Sequence, residues 1–268
     1  MEDFIEAMGR DYRERIRKLR FFDSNCWIGR MNNRGPVYMR TVEDLLGCMD
    51  SCGVDKAMVS HALARYSHPL LGNELLLEEI SNQKRLVGCF ILLPHGTEEL
   101  GRLEDYIEKM ISRGVLAARI FPESQRFSME DWSAGRLLDI LAERKLPLFI
   151  WSREISWPVL HRMCKKYPRL PVVVEQCDEE TYRNLRYLYP LLEECGNLYL
   201  EVHNSHLYLQ VDDIVKRFGA GRFVFSTYYP VDDPHCALML ITHGAFSFEE
   251  KEKVAYGNLE YLLNGVVR

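Results

Sequence analysis

Phe21-Phe22-Asp23-Ser24-Asn25-Cys26-Trp27-Ile28-Gly29 has the frame of a short apolar strand that runs into a site at its carboxyl end. An aromatic start is followed by Asp23, a spacer, Asn25, a spacer and Trp27, then an apolar residue and Gly29. Side chains two apart share one face of a strand, so Asn25 and Trp27 enter the same space while Cys26 points away from it. What the pair brings is limited. A carboxamide is neutral, and an indole donates one N–H but has no lone pair to offer.

Working outward, short apolar runs alternate with helical patterns to the end of the chain. Strands are predicted at 20–23, 56–60, 86–92, 116–121, 147–151, 171–176, 198–203 and 222–227. Apolar residues at helical spacing predict helices over 42–52, 72–82, 98–113, 132–144, 158–167, 179–195, 211–218 and 248–263. Strict alternation implies a parallel sheet. Eight strands and about eight helices over roughly 250 residues match the size of an α/β (β/α)8 TIM barrel. A doubly wound open sheet is the competing fold, but the glycine-rich phosphate turn expected after its first strand does not occur. The longest irregular stretch, 29–40, follows the first strand, on the face of a barrel where function resides.

With 268 residues and 47% hydrophobic content, the chain suits one large α/β domain or two small ones. Residues 1–20 are charged throughout and lack the apolar core of a signal peptide. They predict an extra amphipathic helix, with Phe4, Ile5, Met8, Tyr12 and Ile16 on one face, packed on a barrel that spans 21–268. No stretch approaches the roughly 20 apolar residues of a membrane span. Net charge is −5 and no basic stripe with interleaved aromatics occurs, so neither nucleic acid nor a membrane is expected as a partner. Eight cysteines (26, 48, 52, 89, 164, 177, 195 and 236) form no CxxC pair and suggest reduced thiols in the cytoplasm. Cys48 and Cys52, one helical turn apart, read as small core-facing residues.

In its order of motifs the chain resembles the amidohydrolase-related family of TIM-barrel metal-dependent hydrolases and decarboxylases. The resemblance rests on Asp23 and Gly29, on Gly53-Val54-Asp55-Lys56-Ala57, and on Asn73. It continues through Arg85-Leu86-Val87-Gly88, Pro94, Arg113-Gly114-Val115, Lys145-Leu146-Pro147 and Tyr167-Pro168. Gly196-Asn197-Leu198-Tyr199, the run 221–230 and Ala255-Tyr256-Gly257-Asn258-Leu259 complete it. The resemblance implies metal ligands at five places: two His after the first strand, one His after each of the fifth and sixth, and an Asp after the eighth. Those places hold Asn25, Trp27, Trp151, Gln176 and Tyr228. Zinc needs three or four N, S or O⁻ donors within about 2.0–2.3 Å, which this set does not supply. No metal and no other cofactor is therefore expected, and the five residues are read as lining a binding site.

Arg119, Glu175, Glu201 and His203 are the candidate catalytic residues. Asn25, His61, Glu123, Arg153, Gln176, Tyr228, Asp232 and His235 are further polar candidates at strand ends. Arg119 has two readings, a clamp for a substrate carboxylate or an internal salt bridge to Glu175 or Glu201. Glu201 and His203 alternate on one strand face and suit either an acid–base pair or a satisfied polar pair. His203 and His206 have HxxH spacing, but after a strand rather than on a helix. Trp27, Trp151, Tyr228 and Tyr229 make either an aromatic wall for a flat ligand or a plug. No GxSxG elbow occurs, and neither Cys26 nor Cys177 has sequence support as a nucleophile. Three functions follow. The first is a barrel without its metal site that binds a small molecule, such as a carboxylate, or is non-catalytic. The second is a metal-independent hydrolase or lyase acting on a small carboxylate or lactone. The third is a metal enzyme with displaced ligands. The resemblance also implies a homodimer.

Overall fold

The computed structural model describes residues 2–32, 39–175, 185–205 and 209–268, and only the backbone of 2–5. Gln176, Cys177 and His206 lie outside the described residues. In chain order the elements are α1 (Glu2–Arg17), β1 (Phe22–Ile28), α2 (Val42–Cys52), β2 (Lys56–His61), α3 (Ala62–Tyr66) and α4 (Pro69–Ile80). Next come β3 (Leu86–Gly88), β4 (Phe90–Ile91), α5 (Leu103–Ser112), β5 (Ala118–Ile120), α6 (Asp131–Glu143), β6 (Leu148–Trp151) and α7 (Trp157–Lys166). The chain ends with β7 (Val172–Glu175), α8 (Leu185–Glu194), β8 (Leu198–Glu201), α9 (Gln210–Phe218), β9 (Phe223–Val224), α10 (Pro234–His243), α11 (Phe248–Glu252) and α12 (Asn258–Asn264).

All paired strands are parallel, in the orders β1-β2-β3 and β4-β5-β6-β7-β8-β9. Two junctions turn these sheets into a closed barrel. At Cys89 the N–H donates to the Val59 carbonyl (2.8 Å), so β3 and β4 are one strand with a break. At the other junction the Ser24 N–H donates to the Phe225 carbonyl and the Trp27 N–H to the Tyr229 carbonyl, both at 2.9 Å. Asp23 fastens this second seam by accepting from the Thr227 N–H (3.1 Å) and the Thr227 hydroxyl (2.5 Å). Counted this way the barrel has eight strands, as expected for a TIM barrel.

The first strand runs to Ile28 rather than ending at 23, and so takes Asn25 and Trp27 into the barrel wall. The apolar pattern fails at Asp23-Ser24-Asn25, but pairing with both neighbours carries the strand on. Its register with β2 slips between Asp23 and Cys26, a bulge that re-aims the side chains beyond it. The third strand breaks at Cys89 because the Asn73 side chain takes both backbone groups of Ile91, at 2.8 and 3.0 Å. The segment from 86 is thus shorter than the sequence suggests. Within the segment 1–20 the helix α1 spans Glu2–Arg17, with Met8 exposed on it; Tyr12 and Ile16 make the packing, Tyr12 through a 2.7 Å bond to His235 Nδ1.

Several motif residues prove to be clamps on carbonyls. Asn197 donates to the Cys164, Tyr167 and Leu170 carbonyls (3.3, 3.0 and 2.8 Å). Asn258 bridges Ala220 and Phe223 (2.8 and 2.6 Å), and Arg85 takes the Asp55 and Val54 carbonyls (3.0 and 2.6 Å). These bonds satisfy loop carbonyls that the sheet ladder leaves over.

The barrel interior is layered with the period of two that strands impose. Phe22, Met58, Cys89, Ala117, Phe149, Val173 and Val224 form an apolar floor closed by Tyr256. Two residues further along each strand come Ser24, Ser60, Ile91, Arg119, Trp151, Glu175, Glu201 and Ser226. Ile91 and Trp151 of this layer also join a second apolar cluster above it, with Trp27, Met31, Ala62, Ala64, Phe121, Tyr228 and Val231. The outer strand faces and the helices make the main core, which includes Cys26 as expected from its opposite face. The described cysteines are all free, and Cys52 is buried with its sulfur 4.0 Å from that of half-buried Cys48. Among the described residues no helix is long and apolar enough to cross a membrane.

α3, a single turn, was not anticipated. His61 caps it, with Nδ1 accepting from the Leu63 N–H at 3.1 Å. Gly29 (φ +80°) is required beneath this cap, since a Cβ there would lie 2.7 Å from the His61 ring. Gly72 is needed for a similar reason, as a Cβ would fall 2.2 Å from the Ala64 nitrogen where α4 crosses α3. Burial lowers the His61 pKa, and protonation at Nδ1 would remove the cap's acceptor. Because the folded value lies below the ordinary one near about 6.5, the contribution of His61 to stability is complete above that pH and is lost as pH falls. Unfolding midpoints should therefore drop between pH 7.5 and 5.5, and His61→Asn, which keeps a capping acceptor, should flatten that drop. Equal slopes in the two proteins would refute the assignment.

Candidate functional site

The polar layer carries a hydrogen-bonded belt centred on Arg119. Its Nε donates to Glu175 Oε1 at 2.7 Å and its Nη1 to the Ser60 hydroxyl at 2.6 Å, while Nη2 donates to the Ser24 carbonyl. A carbonyl in a regular strand lies in the sheet plane; the bulge after Asp23 turns that of Ser24 inward, where Arg119 takes it. Ser60 passes the chain on to the Cys89 carbonyl (2.7 Å). The Ser24 hydroxyl donates to Glu201 Oε1 (3.2 Å), Asn25 Nδ2 to Glu201 Oε2 (3.3 Å), and Trp27 Nε1 to Asn25 Oδ1 (2.8 Å). Arg119 is 0% exposed and Glu175 2%. Of the two readings of Arg119, the internal salt bridge is the arrangement present, with Glu175 as partner.

Burial drives the Glu175 carboxyl upward, and the Arg119 guanidinium beside it pulls it back. Burial also works against the Arg119 charge, but Glu175 and, less strongly, Glu201 outweigh it and hold the guanidinium protonated. Two ions taken from water cost several kcal/mol each, and only close pairing with further hydrogen bonds offsets that. The three bonds that Arg119 donates serve this end.

Above the belt, Trp27 (1% exposed) packs on Phe121 with ring centroids 6.1 Å apart. The Arg65 guanidinium lies against Phe121 (4.4 Å), Trp151 (5.0 Å) and Trp27 (5.5 Å), and its Nη1 donates to the Tyr228 hydroxyl at 3.4 Å. Trp27, Trp151 and Tyr228 are thus brought together, but against one another and a cation; Tyr229 pairs with the first strand instead. Tyr228 holds a left-handed backbone (φ +58°), a conformation that persists where its surroundings fix it.

Glu201 and His203 bond to different groups. Glu201 joins the belt, whereas His203 Nε2 meets Asp232 Oδ2 at 2.5 Å and its ring lies 5.5 Å from that of Tyr228. His203 Nδ1 is buried without a hydrogen-bond partner. His235 is spent on α1, and His61 on its cap. Sequence reasoning missed Ser24, Ser60, Arg65 and Phe121. Counting by two from Phe22 and Met58 would have found the serines; Arg65 sits on a helix too short to show a period.

The donor set does not fit a divalent metal. Asn25 is committed to Glu201 and Trp27, the indoles of Trp27 and Trp151 carry no lone pair, and Tyr228 accepts from Arg65. Among the described residues no three His, Cys, Asp or Glu side chains converge.

The sequence model of the amidohydrolase family ("Amidohydrolase") matches residues 31–263, and the chain belongs to that family. The match starts just past the first strand, where Asn25 and Trp27 stand. An uncharacterized TIM-barrel protein from Bordetella bronchiseptica is similar in structure (TM-score 0.71, 14% identity, 92% of this chain and 99% of that one). So are 2,6-dihydroxybenzoate decarboxylase from Rhizobium (0.69, 12%, 92% and 99%) and 5-carboxyvanillate decarboxylase from Sphingomonas paucimobilis (0.69, 12%, 93% and 100%). At such identity the likeness establishes the fold. No curated protein sequence matches the chain.

Removing one partner of the central pair leaves a buried, unbalanced ion. Glu175→Gln should lower the unfolding free energy by about 3 kcal/mol or more, and an Arg119→Met/Glu175→Leu double variant should recover much of the loss. Urea denaturation measures both; additive losses would show that the two residues do not act as a pair.

Proposed function

We propose that this chain is a member of the amidohydrolase family that has given up metal catalysis and serves as a non-catalytic or small-molecule-binding barrel. The observation that carries the reading is the state of the ligand positions. A metal activates water only when three or four donors hold it and leave one position open. Of the five positions inferred from family resemblance, Trp27, Trp151 and Tyr228 pack into one cluster with Arg65, Asn25 is bonded to Glu201 and Trp27, and Gln176 lies outside the described residues. The buried positive charge of the interior comes from Arg119, fixed to the chain. The two named decarboxylases act, by name, on small aromatic carboxylates, which supports a small carboxylate as the ligand class.

A second reading, a metal-independent hydrolase or lyase, is favoured by one observation. His203 is held by Asp232 through Nε2 while Nδ1 has no partner, the arrangement of a base with its orienting carboxylate.

Elemental analysis of protein purified without chelator tests the first reading. It predicts zinc, manganese and iron far below one equivalent, and an unfolding midpoint that EDTA leaves unchanged. Stoichiometric metal, with a midpoint that falls on chelation, would overturn it. Turnover of a carboxylate or lactone by metal-free protein, lost in His203→Gln, would select the second reading instead.

A further inference from the structure

We propose that a cavity beside the barrel mouth binds a small monocarboxylate that also carries a hydrogen-bond donor, with Arg65 as the counter-ion. The cavity, about 510 Å³, is bounded by α3, the turn after β4, the turn after β5 and the start of α6. That volume suits a small molecule, and its place at the carboxyl ends of the strands is where barrels take ligands. Leu93, Pro94, Phe127 and Trp132 give it apolar walls.

Its charge pattern points to the ligand. Arg65 is only 8% exposed, and the carboxylate that senses its charge, Glu175, is bonded to Arg119 instead. Rings of Phe121, Trp151, Trp27 and Tyr66 at 4.4–5.5 Å partly offset the loss of water around the cation. They do not replace a counter-ion. Arg65 Nε has no hydrogen-bond partner. The edge of a guanidinium matches a planar carboxylate with two parallel bonds.

Two more atoms of the same wall are left over. Gln125 Oε1 and His95 Nδ1 are buried and unpartnered, so that with Arg65 Nε three such atoms belong to this one cavity. Gln125 Nε2 donates to the Ala64 carbonyl at 3.3 Å, which assigns Oε1 the acceptor role and calls for a donor on the ligand. A buried polar group left unpaired costs about 1–3 kcal/mol, and clustering of such groups in a binding-sized cavity is what a site awaiting its ligand would display. These atoms are shut off from water in the wall, so entry of the ligand turns the side chains slightly toward the cavity. The proposal does not rest on the loss of metal catalysis: the cavity lies to one side of the mouth, and a metal found on the axis would leave it standing.

Calorimetric titration of the full chain with 4-hydroxyphenylacetate, phenylacetate and 4-hydroxyphenylacetamide provides the test. The hydroxy acid should bind most tightly. The neutral amide should bind about ten- to a hundredfold more weakly, the range set by one charge-assisted hydrogen bond, and phenylacetate should fall between them. Arg65→Met should lose the preference for acid over amide. Because Arg65 also packs in the mouth, Ser133→Trp is the companion variant; it fills the cavity from α6 with Arg65 in place and should abolish binding. Undiminished binding in Ser133→Trp, equal binding of acid and amide, or no binding of either acid would overturn the proposal.

Discussion

A single ion pair sets the terms for the inside of this barrel. Arg119 on β5 and Glu175 on β7 reach past the strand between them, wholly out of water and 2.7 Å apart. Such a pair survives only if its remaining donors and acceptors are also satisfied. Ser60, the inward-turned Ser24 carbonyl, Glu201 and Asn25 extend the network in turn. Asn25 then holds the Trp27 indole, and Trp27 fixes the floor of the mouth. The interior is therefore determined from the centre outward, and a change at the belt is felt at both the seam and the mouth.

The same arrangement shows how this chain holds its strand ends together. In a metal barrel the converging ligands and their ion tie strand ends together. Here the tie is made by a guanidinium and two carboxylates carried by the chain itself, with Asp23 fastening the first strand to the last. What remains of the family pattern is mostly scaffold: Asn73 ending the third strand, and Asn197, Asn258 and Arg85 clamping loop carbonyls.

The sequence disclosed the fold through alternation and the order of motifs, because strands of a barrel and the helices covering them keep separate periods. Helix α2 was placed to the residue, since Thr41 and Asp44 cap it and Gly53 closes it. The first strand was cut short because its second half is polar and is held by pairing, which no local pattern records. The residues at the positions that the resemblance marks were legible, as they depend only on residue type. The fate of those residues was not: Glu201 and His203 alternate in sequence but part company in the fold, and Arg65, on a five-residue helix, gave no periodic signal at all. The bulge that turns the Ser24 carbonyl toward Arg119 likewise exists only once β1 and β2 have paired.

The central claim, that a buried guanidinium closes the barrel where related proteins are expected to use a metal, is most directly tested by nitrogen-15 NMR of arginine side chains. The account predicts an Arg119 Nε–H resonance displaced from the exposed arginines and protected from solvent exchange, with that protection lost in Glu175→Gln. An Arg119 Nε–H that exchanges as fast as those of surface arginines would contradict it.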